Sequence, residues 1–191
     1  MKICAVIPAA GSGSRTGFEQ NKVLQKYDGI PVLRRTVSAF AADEQIEKVI
    51  VCIRECDRAE ISALLSDFKS ISLVCGGATR TESVKNALEF LAKEQTLPDY
   101  VLIHDAARPF VSPKIIRDCI DTVRAFGSAV CSLPCTDTLV SASGGMVCGK
   151  LDRESTYLVQ TPQAFSFPLL LAAYRKITPQ DVFTDDAGVF A

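Results

Sequence analysis

Two cations, Arg15 and Lys22, stand in the glycine-rich stretch PAAGSGSRTGFEQNK, residues 8–22. Small residues after a strand let backbone N–H groups approach a phosphate with no Cβ in the way. An arginine fork and a lysine point charge both suit a polyphosphate. Two common nucleotide patterns fail here. GxGxxG needs glycine where Thr16 stands, and GxxxxGK[ST] is broken by the glycine spacing and by Phe18 after Gly17. A solvated loop is the plain alternative reading of the glycines, and the two cations weigh against it.

Two further stretches have a similar character. In GGATRTESV (76–84), Gly76 and Gly77 permit close backbone approach, while Arg80 and Ser83 fall at the start of a helix whose free N–H groups favour anionic or carbonyl acceptors. Thr79 or Thr81 acting as a simple N-cap explains the same letters. In HDAARPF (104–110), Asp105 can orient Mg²⁺ or a sugar hydroxyl, and Arg108 can hold a phosphate or pair with Asp105. Later come Asp152-Arg153, Thr161-Pro162-Gln163 and Thr184-Asp185-Asp186, each of which also reads as a turn or a cap. No serine–histidine–acid arrangement is credible with the one histidine, and no cysteine nucleophile is supported. Arg15, Lys22, Arg80, Arg108 and Arg153 set against a few carboxylates suit a polyanionic small molecule with a divalent cation. That is the chemistry of phosphoryl or nucleotidyl transfer rather than of hydride transfer.

The elements that would place these loops alternate regularly. ICAVIP (3–8), KVIVCI (48–53), SISLVC (70–75), YVLIHD (100–105) and SAVCSLP (128–134) are strand candidates. Between them, Leu33, Val37, Phe40 and Ala41 form a helical stripe that Pro31 opens. A second helix covers 57–66, and a third carries Val84, Ala87, Leu88, Leu91 and Ala92, with Glu89 and Lys93 as an i, i+4 pair. A fourth begins at Pro113 behind Ser112 and buries Ile116, Cys119, Ile120 and Val123. This pattern predicts a Rossmann-like α/β fold, a mostly parallel open sheet with helices on both faces, in one domain. Ligands of such sheets bind beyond the carboxyl ends of the strands, where all three loops fall. Residues 136–154, around Ser143-Gly144-Gly145, read as a β-hairpin that leaves the main body, either a dimerisation arm or a plain surface hairpin. TYLVQTPQAF and a helix near 166–176 resume the domain.

A chain of 191 residues with 48% hydrophobic and 23% charged content can bury a sizeable core. A net charge of −1 argues against a general nucleic-acid binder, and no apolar run approaches the roughly 20 residues of a membrane span. The opening MKICAVIP turns to glycine too soon for a signal peptide, so the reading is cytoplasmic. Eight cysteines without a CxxC pair argue against structural zinc and a disulfide framework. Cys4, Cys52, Cys75, Cys119 and Cys131, in or beside apolar runs, are expected to act as small hydrophobes.

PAAGSGSR with Lys22 resembles the N-terminal signature of the sugar nucleotidyltransferases. Together with GGATRTESV, HDAARPF, the DR pair and QTPQAF, it is similar to the 2-C-methyl-D-erythritol 4-phosphate cytidylyltransferases, from residue 3 to about 188. The resemblance implies the nucleotide-diphospho-sugar transferase fold and a reaction of CTP with methylerythritol 4-phosphate, giving the diphosphocytidyl product and pyrophosphate in non-mevalonate isoprenoid synthesis. It implies Arg15 and Lys22 as the charge-stabilising catalytic pair, and Ala9, Ala10, Gly11 and Gly13 around the nucleotide. Gly77 and Ser83 would read cytosine, and Asp105 and Ala106 would hold the ribose side, Asp105 with Mg²⁺. Arg108, Arg153, Thr161 and Thr184 would hold the acceptor phosphate, Arg153 reaching across a homodimer. Ala78 stands where members often carry an acidic residue, so a contact there is missing or backbone-only. The family pattern also continues past TDDAGVFA with a strand, a lysine in an NxK context and a final helix. Ribitol 5-phosphate as the acceptor, and a catalytically silent CTP-binding domain, are the alternatives.

Overall fold

The computed structural model describes residues 1–11, 21–178 and 180–191. The expectations for Gly13 and Arg15 lie outside the described residues.

The first apolar run forms β1 (Ile3–Pro8). After a single 3-10 turn at Lys22–Leu24 come a two-residue ladder, β2 (Lys26–Tyr27) and β3 (Ile30–Pro31), and then α1 (Val32–Ala41). Next are β4 (Ile46–Ile53), α2 (Arg58–Leu64), β5 (Ile71–Cys75), α3 (Arg80–Leu91), β6 (Tyr100–Ile103) and α4 (Pro113–Phe126). The chain continues through β7 (Ser128–Pro134), β8 (Val140–Ser143), β9 (Met146–Lys150), β10 (Tyr157–Ser166), α5 (Phe167–Lys176) and α6 (Asp186–Phe190). Ser112 caps α4, its hydroxyl accepting from the Ile115 N–H at 3.3 Å, and Gly127 closes that helix in the left-handed conformation at φ 81°.

Six strands form one sheet in the order β5-β4-β1-β6-β10-β7. The ladders β4–β5, β1–β4 and β1–β6 are parallel, whereas β10 runs antiparallel to both β6 and β7. The expected Rossmann-like, mostly parallel sheet is therefore present. The antiparallel strand has a simple cause. β10 follows β7 through a hairpin with no helical crossover, and two strands joined that way run in opposite directions.

Alternation along the central strands divides the core into two layers. Ile3, Ala5 and Ile7 of β1 pack beneath Leu33, Val37 and Phe40 of α1, Ile61 of α2, and Ile116, Ile120 and Val123 of α4. Cys4 and Val6 face the other way, toward Val84, Leu88 and Leu91 of α3, Phe167, Leu170 and Tyr174 of α5, and Val189 of α6. Helices thus cover both faces, as the alternating pattern predicts. Each fully buried aliphatic or aromatic side chain contributes about 1.5–3 kcal/mol.

β8 and β9 form their own two-stranded sheet, joined by Gly144 and Gly145 at φ 57° and 80°. Positive φ at both central residues is what a tight hairpin turn of matching twist requires, and glycine adopts it without strain. The arm grows directly out of the β7–β10 ladder, closed at its base by Cys135 N–H donating to the Thr156 carbonyl at 3.0 Å.

Several local expectations change. Pro31 caps α1 from outside instead of occupying its first turn. Strand β6 ends at Ile103, so His104 and Asp105 leave the ladder: the His104 N–H still donates to the Val6 carbonyl, but that of Asp105 turns to Thr161. Glu89 pairs with Arg175 of α5 at 2.7 and 2.8 Å, because a two-pronged guanidinium matches a carboxylate better than a point charge does. Cys75 is exposed and Cys131 only half-buried, while Cys4, Cys52 and Cys119 are buried as expected. Burial pushes the Cys4 thiol up to about 11 and the Cys52 thiol up to about 12, so both stay protonated and inert.

Candidate functional site

The loops after β1, β5 and β6 meet in one cleft of about 600 Å³ at the carboxyl ends of the strands. It is lined by Ala9, Ala10, Gly11 and Lys22 from the first loop, by Gly77, Thr79, Arg80 and Ser83 from the second, and by Asp105, Ala106 and Arg108 from the third. Nine of these, all but Thr79 and Arg80, are residues to which the resemblance gives a site role, so the three motifs do meet in one cleft.

The first loop is pinned by backbone and side-chain bonds. Ala9 N–H donates to the Cys52 carbonyl at 2.7 Å, and the buried Asn21 amide donates to the Ala9 carbonyl at 3.0 Å. The Asn21 side-chain oxygen accepts from Val23 N–H, starting the 3-10 turn whose first residue is Lys22. Lys22 thus leaves a fixed backbone into the cleft. Asn21 went unread in the sequence; its signal was a polar residue directly before Lys22 at a helix start.

The second loop is closed in on itself. Gly76 N–H donates to the Ile53 carbonyl, Gly77 N–H to the Ser83 hydroxyl at 3.0 Å, and Ala78 N–H to Glu82 at 2.7 Å. The expectation that these glycines bring free N–H groups to a ligand is therefore corrected. Their backbone approaches the chain's own atoms: a Cβ on Gly76 would overlap that of Ala10, and one on Gly77 would overlap that of Glu82. Ser83, whose hydroxyl also donates to the Thr79 carbonyl at 2.9 Å, shapes the loop. Between the two capping candidates, Thr79 is the one used, accepting from Glu82 N–H at 3.0 Å.

In the third loop, Asp105 receives two guanidinium groups. Arg80 Nε donates to one carboxylate oxygen at 3.0 Å and Arg108 Nε to the other at 3.1 Å. Burial works against its charge, but Arg80 and then Arg108 hold the Asp105 carboxyl below the usual carboxylate range. The Asp105–Arg108 pair foreseen as an alternative is thus present. The pair is only partly exposed, Arg108 at 44% and Asp105 at 33%, and solvent-screened pairs contribute about 0–1 kcal/mol, which a phosphate ligand can outweigh. Arg108 also donates to the Gln160 side chain.

His104 has a structural place. Its Nε2 lies 3.0 Å from the Arg108 carbonyl, which can only accept, so Nε2 carries the proton. Nδ1 is then the acceptor for the Thr161 hydroxyl at 3.1 Å, and that hydroxyl accepts from Asp105 N–H at 3.2 Å. Burial lowers the His104 pKa, which keeps the ring neutral. Thr161 thus supports the Asp105 backbone from beside the cleft. Arg153 sits on the arm, exposed, with Nη1 3.5 Å from the Thr136 carbonyl, and Thr184 is exposed just before the Asp185 cap of α6. Neither lines the cleft of its own chain.

One carboxylate with two guanidinium neighbours has lone pairs to spare, since an ionised carboxylate offers about four acceptor sites. No group of three or more metal-ligating side chains exists among the described residues. That donor set suits Mg²⁺, which takes one or two carboxylates and completes its shell with waters and substrate phosphates.

Comparison with known proteins agrees over nearly the full length. The family model described as IspD, 2-C-methyl-D-erythritol 4-phosphate cytidylyltransferase, matches residues 3–191. The enzyme of that name from Bacillus mycoides is 37% identical over 189 residues, covering 96% of this chain and 81% of the relative. Among solved structures, the 4-diphosphocytidyl-2C-methyl-D-erythritol synthase of Anaerococcus prevotii superposes with a TM-score of 0.85 at 30% identity, over 99% of this chain and 82% of that one. The 2-C-methyl-D-erythritol 4-phosphate cytidylyltransferase of Thermus thermophilus gives 0.75 at 31% identity, over 100% of this chain and 83% of that one.

Proposed function

The chain belongs to the 2-C-methyl-D-erythritol 4-phosphate cytidylyltransferase family, and from that premise we propose how its cleft performs the reaction. The enzyme is a nucleotidyltransferase that joins CTP to methylerythritol 4-phosphate, releasing pyrophosphate, in the non-mevalonate pathway. The observation that carries the assignment of roles is the convergence of three strand-end loops on a cleft lined by Lys22, Arg80 and Arg108 and, among the described residues, by one carboxylate, that of Asp105.

A phosphate oxygen of the acceptor attacks the α-phosphorus of CTP, and the bond to the pyrophosphate oxygen breaks. The attacking phosphate is already anionic, so no general base is needed. Negative charge spreads over the α-phosphoryl oxygens in the transition state. Lys22 meets that charge from a fixed backbone, with Arg15 assigned the same task on its motif alone. Ala9, Ala10, Gly11 and Gly13 line the nucleotide. Gly77 offers its carbonyl, and Ser83 its hydroxyl, to cytosine, while Asp105 and Ala106 take the ribose side. Mg²⁺ bound with the triphosphate would be held by Asp105, and when bound it neutralises phosphate charge.

Arg108, Thr161 and Thr184 hold the acceptor phosphate, with Arg153 supplied by a second copy of the chain. The dimer reading is supported by the exposed apolar side chains along the arm and its root: Val140, Met146, Val147, Leu151, Leu133 and Tyr157. Residues 1–191 act as one domain. Eight free thiols suit a reducing compartment, which supports a cytoplasmic setting for the activity. No helix among the described residues is long and apolar enough to cross a membrane.

Pyrophosphate release is the deciding measurement. With CTP and Mg²⁺, release is expected with methylerythritol 4-phosphate and not with ribitol 5-phosphate. Release with ribitol phosphate alone would overturn the acceptor assignment, and tight CTP binding with no release from either would mark a silent domain.

A further inference from the structure

Arg80 is fixed at two edges. Its Nε donates to Asp105 in the cleft, and its Nη2 donates at 2.7 Å to Asp186 at the start of α6, 106 residues away in the chain. Asp186 is completely buried, and both oxygens of its carboxylate are engaged within the chain. One carboxylate oxygen accepts from Arg80 and the other from the Tyr174 hydroxyl, while its backbone N–H donates to the Gln163 side-chain oxygen at 3.1 Å. That same oxygen accepts from Ala187 N–H at 3.0 Å, and the Gln163 amide nitrogen donates to Asp185 at 3.1 Å, so α6 is tied to β10. A carboxylate this enclosed cannot touch a substrate. Among the described residues, the cleft-lining group that its side chain bonds directly is Arg80.

We propose that Asp186 is a positioning residue for nucleotide binding: it holds the plane of the Arg80 guanidinium, and Arg80 in turn holds the carboxylate of Asp105 in its binding orientation. The proposal rests on the assignment of Asp105 to the nucleotide. A guanidinium is planar, so bonding it at two edges sets its orientation, whereas one bond leaves it free to turn. Burial opposes the charge of Arg80, but Asp186 first and Asp105 second outweigh it and push the group further up, so the cation is permanent. With Asp186 in place, the charge of Arg80 is committed to two carboxylates and does not swing toward the triphosphate.

The test is Asp186→Asn, which keeps the shape and the bond from Tyr174 but presents Arg80 with a neutral or donating neighbour. Calorimetric titration with CTP and Mg²⁺ is expected to show about tenfold weaker binding. In steady state the CTP KM should rise by a similar factor while kcat changes less than threefold. In an Arg80→Ala background the same replacement should change the CTP Kd less than twofold, because the intermediary is gone. A CTP Kd unchanged or tightened by Asp186→Asn overturns the proposal, as does a loss of the same size in the Arg80→Ala background, which would mark a structural role of α6. If Asp186→Asn does not fold, Tyr174→Phe loosens the same carboxylate and should weaken CTP about threefold; no weakening there also overturns it. A wild-type chain that binds no CTP would instead overturn the nucleotide assignment itself.

Discussion

The side-chain amide of Asn21 donates to the carboxylate of Asp57 at 3.0 Å, joining points 36 residues apart inside the fold. Arg54 grips the same carboxylate with two bonds of 2.8 Å. The backbone that presents Lys22 is therefore braced from β4 and the start of α2.

Asp57→Asn should cost about 1–3 kcal/mol of stability, since it sets an amide against the Arg54 fork and leaves buried polar groups poorly paired. The Arg54 fork holds the Asp57 carboxyl below its ordinary 3.8, against the pull of burial and with help from Asn21. The unfolded chain takes up a proton near its ordinary value, the folded chain only at lower pH. The contribution of Asp57 is thus full above about pH 4 and is lost as pH falls through the folded value. Urea unfolding of both proteins should show a constant gap from neutral pH to about 4 and a shrinking gap below it. A gap that persists unchanged into acid would show that the carboxylate's charge contributes nothing.

Lys22→Ala should lower kcat by about 10²–10³ while weakening CTP binding far less, because the ammonium meets charge that grows in the transition state. Steady-state kinetics beside equilibrium titration checks this. Equal losses in both would make Lys22 a ground-state anchor.

Gly76→Ala forces a methyl into the Ala10 side chain and the Ser83 hydroxyl, where the loops after β5 and β1 press together. Overpacking of this kind costs about 1–3 kcal/mol. Thermal unfolding should show that loss, and CTP affinity should fall with it, since both displaced loops line the cleft. Gly11→Ala meets no atom of the described residues within 4 Å and should leave stability unchanged by the same measurement.

The parts of this site that could be read in the sequence are those set by short-range rules. Strand β7 was placed at its full extent, 128–134, and the α4 cap at Ser112 was correct, because apolar runs and caps are local signals. The hairpin was visible in Gly144-Gly145. The direction of β10 was not, since nothing in its own residues states that the connection before it lacks a crossover. Asn21, Asp57 and Asp186 were missed as supports because their importance lies in partners 36 and 106 residues away. Arg80 was noticed as a cation, but its letters do not reveal that two carboxylates would claim it. The self-closure of the 76–78 amides is likewise a long-range fact about where the loop meets its own helix.

Cys148, exposed on β9, reports on the arm. If two arms pack together, its labelling by an aromatic disulfide reagent should slow several-fold as protein concentration is raised through the dimerisation range, while exposed Cys56 is labelled at a constant rate. Mixing Arg153→Ala chains with Lys22→Ala chains should then restore activity that neither has alone, because a mixed dimer contains one intact site. No recovery on mixing would place Arg153 in its own chain's chemistry or outside the reaction.

The reversal of direction at β10 also marks a division of labour. Among the described residues, every one that lines the cleft lies between Pro8 and Arg108, upstream of β7, while Arg153, Thr161 and Thr184 all belong to the arm or the segments after it. On the proposed roles, the nucleotide contacts all fall before β7, while the acceptor contacts fall on both sides of it, Arg108 before and Arg153, Thr161 and Thr184 after, and the two parts are joined by the β6–β10 ladder and by side-chain pairs such as Arg108–Gln160. On the same roles, a lineage could exchange one alcohol phosphate for another largely by altering the second half, keeping Arg108 for the phosphate that such acceptors share. Bridges such as Arg80–Asp186 mark the few positions where such drift would be felt by the nucleotide.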